Sequence, residues 1–200
     1  MGEPSSHLVL QFARRAGVLR PRELAVAGLP RRDLARLVAA ATLVRSGRGL
    51  YSAADADLSE RHALAEAAVR VPRGVVCPLS ACRVHDLTTQ NPHQVWLAVD
   101  RKARRPAVDH PPLRVVRFSG TALTSGVERP VIDGVPVPVY SAAKTVADCF
   151  KYRNKIGTDV AVEALRDCLR LRRATPDEVR QTAAVCRVAN VIRPYLEAML

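Results

Sequence analysis

Apolar positions recur with a helical period through the first quarter of the chain. Ser5 to Ala16 places Leu8, Phe12 and Ala16 on one face, with Ser5 or Ser6 as the cap and Gly17 as the stop. Arg22 to Ala27 is a second short helix. Pro21 opens it at the position where a missing N–H costs nothing. Gly28-Leu29-Pro30 breaks that helix. Arg31 to Ala41 is expected to form a third, because Leu34, Leu37, Val38 and Ala41 fall at i, i+3, i+4 and i+7. Arg31, Arg32 and Arg36 are left on the other side. The period then changes: Leu43-Val44-Arg45 and Gly49-Leu50-Tyr51 are short strand candidates around a turn at Ser46-Gly47-Arg48, with Arg45 and Arg48 on the hairpin.

Two helices joined by a short turn, the second with arginines on its open face, make the layout of a helix-turn-helix DNA reader. The basic hairpin adds a wing. Lysine and arginine contact phosphates, and arginine often reads base edges. These considerations make Arg31, Arg32, Arg36, Arg45 and Arg48 the candidate DNA-binding residues.

Beyond Tyr51 the pattern is mixed. Ala53 to Ser59 is a small polar linker, which divides the chain into an expected DNA-binding domain, residues 1–58, and a second domain, residues 59–200. Helices are expected over Glu60 to Val71 and Pro78 to His85, and strands over Val75 to Cys77, Gln94 to Val99 and Leu113 to Phe118. Trp96 is expected in the core. Asp100 to Pro112 reads as a loop with Arg101, Lys102, Arg104 and Arg105, either solvated or a further phosphate contact. Val131 to Tyr140 contains a hairpin around Asp133-Gly134. The last third is helical: Ser141 caps a helix to about Tyr152, Asp159 to Leu171 forms the next, and Thr175-Pro176-Asp177-Glu178 starts one that runs to about Cys186. A final short helix over Asn190 to Leu200 begins or breaks at Pro194. The expected class is α+β, a winged helix-turn-helix domain followed by a mixed domain with a helical C-terminal third.

Charge sharpens the picture. The chain has 31 Lys+Arg against 19 Asp+Glu, a formal net charge of +12 over 200 residues. Residues 1–52 hold nine arginines and three acids (Glu3, Glu23, Asp33), a net +6 in a quarter of the length. A polyanionic partner, most simply nucleic acid, fits this excess. No apolar run approaches a membrane span or a secretory signal, so a cytoplasmic protein is expected. Met1 to Ser6 fits the loose myristoylation pattern, which is permissive enough to match by chance. The five cysteines (77, 82, 149, 168, 186) form no C-x-x-C pair and read as small buried hydrophobes. Cys82 and His85 fall one helical turn apart, but two further ligands are missing, and no metal or cofactor is expected. His85-Asp86 has no adjacent nucleophile.

Three stretches carry a family resemblance. GVLRPRELAVAGLPRRDLARLV with LVRSGRGLYS, then PLSACRVHDLTTQNPHQVWLAV, then VYSAAKTVADCFKYRNKIGTDVAVEAL with CRVANVIRPYLEAML, together resemble the AbiEi family of type IV antitoxins. The resemblance implies an N-terminal winged helix-turn-helix that represses its own operon. It also implies a C-terminal antitoxin domain that counters a nucleotidyltransferase toxin. The family's DNA-reading helix falls on Arg31 to Ala41 and its wing on Arg45 to Tyr51. Its C-terminal signature falls on Lys144, Thr145, Asp148, Phe150, Arg153, Asn154 and Lys155. In and beside that signature, Lys144, Asp148, Lys151, Arg153 and Lys155 are the candidate antitoxicity surface, with a second nucleic-acid contact as the other functional reading of the basic cluster. Lys144 and Asp148 lie a turn apart on one helix. Lys151, Arg153 and Lys155 cluster near its end, where the helix dipole favours cations.

The expected partners are double-stranded operator DNA, a toxin whose direct contact is left open, and a second copy on DNA. A regulator without a toxin is the alternative. Enzyme signatures are missing. Phe118-Ser119-Gly120-Thr121-Ala122-Leu123 looks like a stretch of the partner nucleotidyltransferases, but no Asp-x-Asp follows to hold Mg²⁺. There is no P-loop, G-x-S-x-G, H-E-x-x-H or nuclease Glu-x-Lys, so no enzymatic activity is expected.

Overall fold

The computed structural model describes residues 5–200. The start of the Met1–Ser6 pattern, and Glu3, lie outside the described residues. In chain order the elements are α1 (Ser5–Ala16), α2 (Pro21–Val26), α3 (Asp33–Ala39), β1 (Leu43–Gly47), β2 (Leu50–Ala53), α4 (His62–Arg70), β3 (Val75–Val76), α5 (Leu79–His85), β4 (Val95–Asp100) and β5 (Leu113–Phe118). There follow α6 (Thr121–Thr124), β6 (Val127–Glu128), β7 (Val131–Ile132), β8 (Val135–Pro136), β9 (Val139–Tyr140), α7 (Ala142–Lys151), α8 (Arg153–Ile156), α9 (Thr158–Arg170), α10 (Pro176–Val185) and α11 (Ala189–Glu197). They form two compact units. One runs through Arg70 and takes in Val131–Pro136; the other comprises Val71–Pro130 and Val137–Leu200.

The first unit is a winged helix. In α1, Val9 and Ala13 are fully buried, Phe12 and Ala16 flank them, and Leu8 faces solvent. The buried stripe is thus centred one residue further round than the spacing of Leu8 and Phe12 suggests. Ser5 does not act as a cap: its hydroxyl donates to Asp33 Oδ2 at 2.6 Å. At the end of α2, the Leu29 N–H returns to the Leu24 carbonyl at 2.7 Å, a closure that satisfies one of the helix's last acceptors.

α3 is shorter than expected at both ends. Arg31 and Arg32 fall in the turn that leads into it, with the Leu34 N–H bonded to the Arg31 carbonyl at 3.1 Å. At the other end, the Thr42 N–H reaches back to the Leu37 carbonyl at 3.0 Å and Ala41 takes a left-handed conformation, φ 54°. Ala41 is therefore exposed and leaves the stripe, which holds Leu34 and Leu37 buried and Val38 half-buried. β1 and β2 pair antiparallel (Leu43↔Ala53, Val44↔Ser52, Gly47↔Leu50). β1 runs on to Gly47, so the turn is Arg48-Gly49 and not Ser46-Gly47-Arg48. Leu19 exchanges both backbone hydrogen bonds with Tyr51, at 2.8 and 3.0 Å, and adds a third member to the wing sheet. Leu19, Leu24, Leu34, Leu37 and Leu43 meet Val9, Ala13 and Ala53 in one core, each leucine contributing roughly 1.5–3 kcal/mol of burial.

This unit extends past residue 58. α4 buries Leu64, Ala65, Ala67 and Ala68. The β7–β8 hairpin turns at Asp133-Gly134, both at positive φ (45° and 77°), the geometry that suits the twist of a two-residue hairpin. Asp133 Oδ1 accepts from the Ser59 N–H at 3.2 Å, and Oδ2 lies 2.9 Å from His62 Nδ1. The hairpin closes on the end of α1. A Cβ on Gly17, which has φ 64°, would meet the Asp133 carbonyl oxygen at 1.5 Å, so only glycine fits there.

The second unit has a sheet of order β5-β4-β3-β9-β6. β4 runs parallel to β5 over Val95↔Leu113 to Asp100↔Phe118, β3 is antiparallel to β4 and parallel to β9, and β6 is antiparallel to β9. Val75, Cys77, Trp96, Ala98, Val116, Phe118 and Tyr140 form the apolar layer on the sheet. Phe150, Leu165, Val179, Ile192 and Leu196 belong to the core among the helices. Thr175 and Glu178 cap α10 reciprocally: Thr175 Oγ1 accepts from the Glu178 N–H at 3.2 Å, and Glu178 Oε2 accepts from the Thr175 N–H at 2.7 Å. α11 begins at Ala189 and runs through Pro194, which neither starts nor ends it.

All five cysteines are buried and free. Cys82 Sγ lies 3.3 Å from Cys149 Sγ, whereas His85 Nε2 lies 2.7 Å from the Tyr140 carbonyl oxygen, so the two residues turn to different partners. No metal-binding group of three His, Cys, Asp or Glu occurs among the described residues. Asp86 pairs with Arg173 at 2.9 Å. No described helix is long and apolar enough to cross a membrane.

Candidate nucleic-acid interface

The winged helix brings the five arginines onto two adjoining pieces of backbone. Arg31 and Arg32 are exposed in the turn before α3, and Arg36 projects from its outer face. Asp33 organises this end: it is 6% exposed, accepts from Ser5, and its Oδ1 lies 3.7 Å from Arg36 Nη2. The Arg36 side chain still keeps 64% of its surface open. At that exposure the ion pair steers the guanidinium more than it stabilises the fold. On the wing, Arg45 and Arg48 are exposed, with Arg45 Nε 3.4 Å from the Gly47 carbonyl and Arg48 in the tip turn.

Three further arginines, Arg20, Arg22 and Arg70, are not legible as a group in the sequence. Arg70, in the last turn of α4, reaches the wing: its Nη1 donates to the Arg48 carbonyl at 3.5 Å. Burial lowers the pKa of the Arg20 guanidinium, and the charges of Arg22 and Arg70 add to that effect while Glu23 opposes it. Arg20 thus feels the like charges of both Arg22 and Arg70 beside the wing. Repulsion among like charges is relieved by an anionic ligand. Linear spacing gives no hint of this, since Arg70 lies 22 residues from Arg48.

The C-terminal candidates separate into two groups. Lys144 and Asp148 are wholly buried and form no part of a surface. Lys144 Nζ donates to both Asp148 oxygens, at 2.7 and 2.6 Å. It lies 4.0 Å from the centre of the Tyr140 ring and 4.6 Å from that of Phe118. The Cys186 thiol faces Asp148 Oδ1 at 3.6 Å. Burial raises the Asp148 pKa, with Lys144 pulling it back, and pushes the Cys186 thiol up to about 11. Two neighbours in the signature are also structural: Thr145 Oγ1 donates to the Tyr140 carbonyl at 3.2 Å, and Phe150 is core. Lys151 and Lys155 are exposed. Arg153 is half-buried and donates to the Phe150 carbonyl at 2.9 Å, which caps the end of α7.

Residues 7–54, the span from within α1 to the end of the wing, match the family described as "Transcriptional regulator, AbiEi antitoxin". The fold is similar to the crystal structure of the RV2827C protein from Mycobacterium tuberculosis, with a TM-score of 0.60 and 15% sequence identity over 90% of this chain and 71% of that one. At such identity the likeness concerns the fold alone. No curated protein matches the chain in sequence.

Proposed function

We propose that this chain, whose residues 7–54 belong to the AbiEi antitoxin family of transcriptional regulators, binds duplex operator DNA through its winged helix and represses its own operon. The observation that carries the reading is the joint presentation of Arg31, Arg32 and Arg36 with wing residues Arg45 and Arg48, all exposed. α3 enters the major groove with Arg32 and Arg36 towards base edges, and the wing arginines hold the flanking backbone. Two copies bind the repeats of the operator. The test is titration of the chain's own upstream duplex against scrambled DNA over a salt series. Specific binding is expected, with affinity falling linearly on a log–log salt plot. Arg32→Ala with Arg36→Ala is expected to lose about 1–3 kcal/mol per base contact and to relax sequence preference. A folded double variant with unchanged affinity and preference overturns the reading.

The second job is antitoxicity towards a partner nucleotidyltransferase, carried by the C-terminal unit on the surface of Lys151, Arg153 and Lys155. Growth rescue on co-expression of the full chain with a nucleotidyltransferase from the neighbouring gene tests it. A regulator without a toxin is the competing reading, favoured by the fact that the family match ends at residue 54. Failure of rescue selects it.

A further inference from the structure

The second unit carries a cationic groove that the winged-helix reading does not use. Two clefts, of about 540 and 430 Å³, lie along the edge strand β5 and share Arg117 in their walls. Arg105, Arg114 and Lys155 line the first with Arg117, and Lys151 and Arg187 line the second. All six side chains are on exposed residues. Among the described residues none of the six is in an ion pair with a carboxylate, and no acid lines either cleft. A concave wall of one sign concentrates its field.

The groove is prearranged. Arg117 Nη1 is fixed by the Asp100 carbonyl at 2.9 Å and also donates to the Ala103 carbonyl. Arg114 lies over the Trp96 ring at 5.5 Å, Lys151 over Phe118 at 5.2 Å, and Lys155 over Tyr152 at 5.6 Å. Tyr152 is half-buried and is itself part of the wall of the first cleft.

We infer that this groove binds single-stranded nucleic acid, its phosphates along Arg114, Lys155 and Lys151, which lie over Trp96, Tyr152 and Phe118 respectively, and a base against Tyr152. Cations that track a backbone, interleaved with aromatic faces that take unstacked bases, are the requirements of a single-strand site. A duplex meets only the first of them: its bases are paired and stacked and leave no free face for an aromatic ring. The inference does not rest on the winged helix, which lies in the other unit.

The experiment measures binding of the full chain to a short labelled RNA, to the same sequence as single-stranded DNA, and to the upstream duplex. Arg114→Gln with Lys155→Gln is expected to weaken RNA binding about tenfold and to flatten the log–log salt slope by about 1.4, two lost contacts at about 0.7 each. Duplex affinity is expected to be retained. Tighter binding of RNA than of DNA assigns the site to RNA, and equal binding assigns it to single strands of either sugar; both support the inference. Absence of RNA binding by the wild type, an unchanged double variant, or equal losses for RNA and duplex overturn it. Should that variant melt early, Arg105→Gln with Arg187→Gln, at opposite ends of the groove, gives the same readout. Failure of the duplex alone overturns the DNA-reader proposal and leaves this one standing.

Discussion

Lys144 and Asp148 sit one helical turn apart with no access to water. A buried pair of this kind is a weak source of net stability, because desolvation of both charges offsets their attraction. Breaking it is another matter. Asp148→Asn leaves the Lys144 ammonium without its counter-charge between two rings, and a loss of about 3–5 kcal/mol is expected in urea unfolding. Lys144→Met with Asp148→Leu removes both charges and is expected to be neutral or stabilising, by up to about 1–4 kcal/mol. The two proteins falling equally would contradict this account. The sign of the pH effect follows from burial. The folded state binds the Asp148 proton more tightly than the unfolded state, because its pKa is raised. Its contribution to stability therefore falls as pH rises from the ordinary carboxylate value through the raised one. The charge-free double variant is expected to lose that slope. The sequence showed the spacing of the pair but not its burial. Phe118, Tyr140 and Cys186 come from separate segments, and no local pattern announces that they close over a lysine.

The elements of the winged helix were largely legible, since their signals are local. The Pro21 start, the Gly28 break and the Leu34–Leu37 stripe each act within one or two turns of chain. Structure and spacing differ at helix ends, where short closures compete with helix continuation. Pro30 can start a helix and so points to Arg31 and Arg32 within α3, yet the helix starts at Asp33, whose carboxylate is engaged by Ser5. By spacing, Ala41 is the fourth apolar position. It instead terminates the helix at φ 54°, a conformation in which its Cβ is unfavourable. Ala41→Gly is expected to raise stability by about 0.5–1 kcal/mol, the relief of left-handed strain less the extra freedom of glycine in the unfolded chain. A rise in the urea midpoint at constant slope would register it; a fall would mean that the alanine methyl contributes packing that outweighs the strain. Arg70 and the groove along β5 lay beyond reach for the opposite reason, because both are assembled from residues far apart in sequence.

At the scale of the whole molecule, the chain order and the division into compact units part company. The chain leaves the second unit after Pro130, makes the β7–β8 hairpin, and returns at Val137, whose N–H bonds the Pro130 carbonyl at 2.9 Å. The excursion is thus closed at its neck, and its tip is held by groups of the first unit: Ser59, His62 and the backbone beside Gly17. A cut in the polar linker, after residue 58, would separate this hairpin and α4 from α1 and the wing. The resulting chain, residues 59–200, would keep α4 packed on the β7–β8 hairpin but would strip that pair of α1 and the wing, including the end of α1 on which the hairpin turn closes. A chain of residues 71–200 in which a short Gly-rich turn replaces 131–136 respects the division, because the neck is already closed by a backbone hydrogen bond. The second chain is expected to melt cooperatively and several degrees above the first, at about 2–4 °C per kcal/mol for a domain near this size. The first is expected to expose apolar surface and to bind a hydrophobic dye. If the two melt together, α4 and the hairpin draw their stability from elsewhere, and the linker is the better place to divide the protein. If they separate as expected, the 71–200 chain is the one on which antitoxicity can be measured without the winged helix.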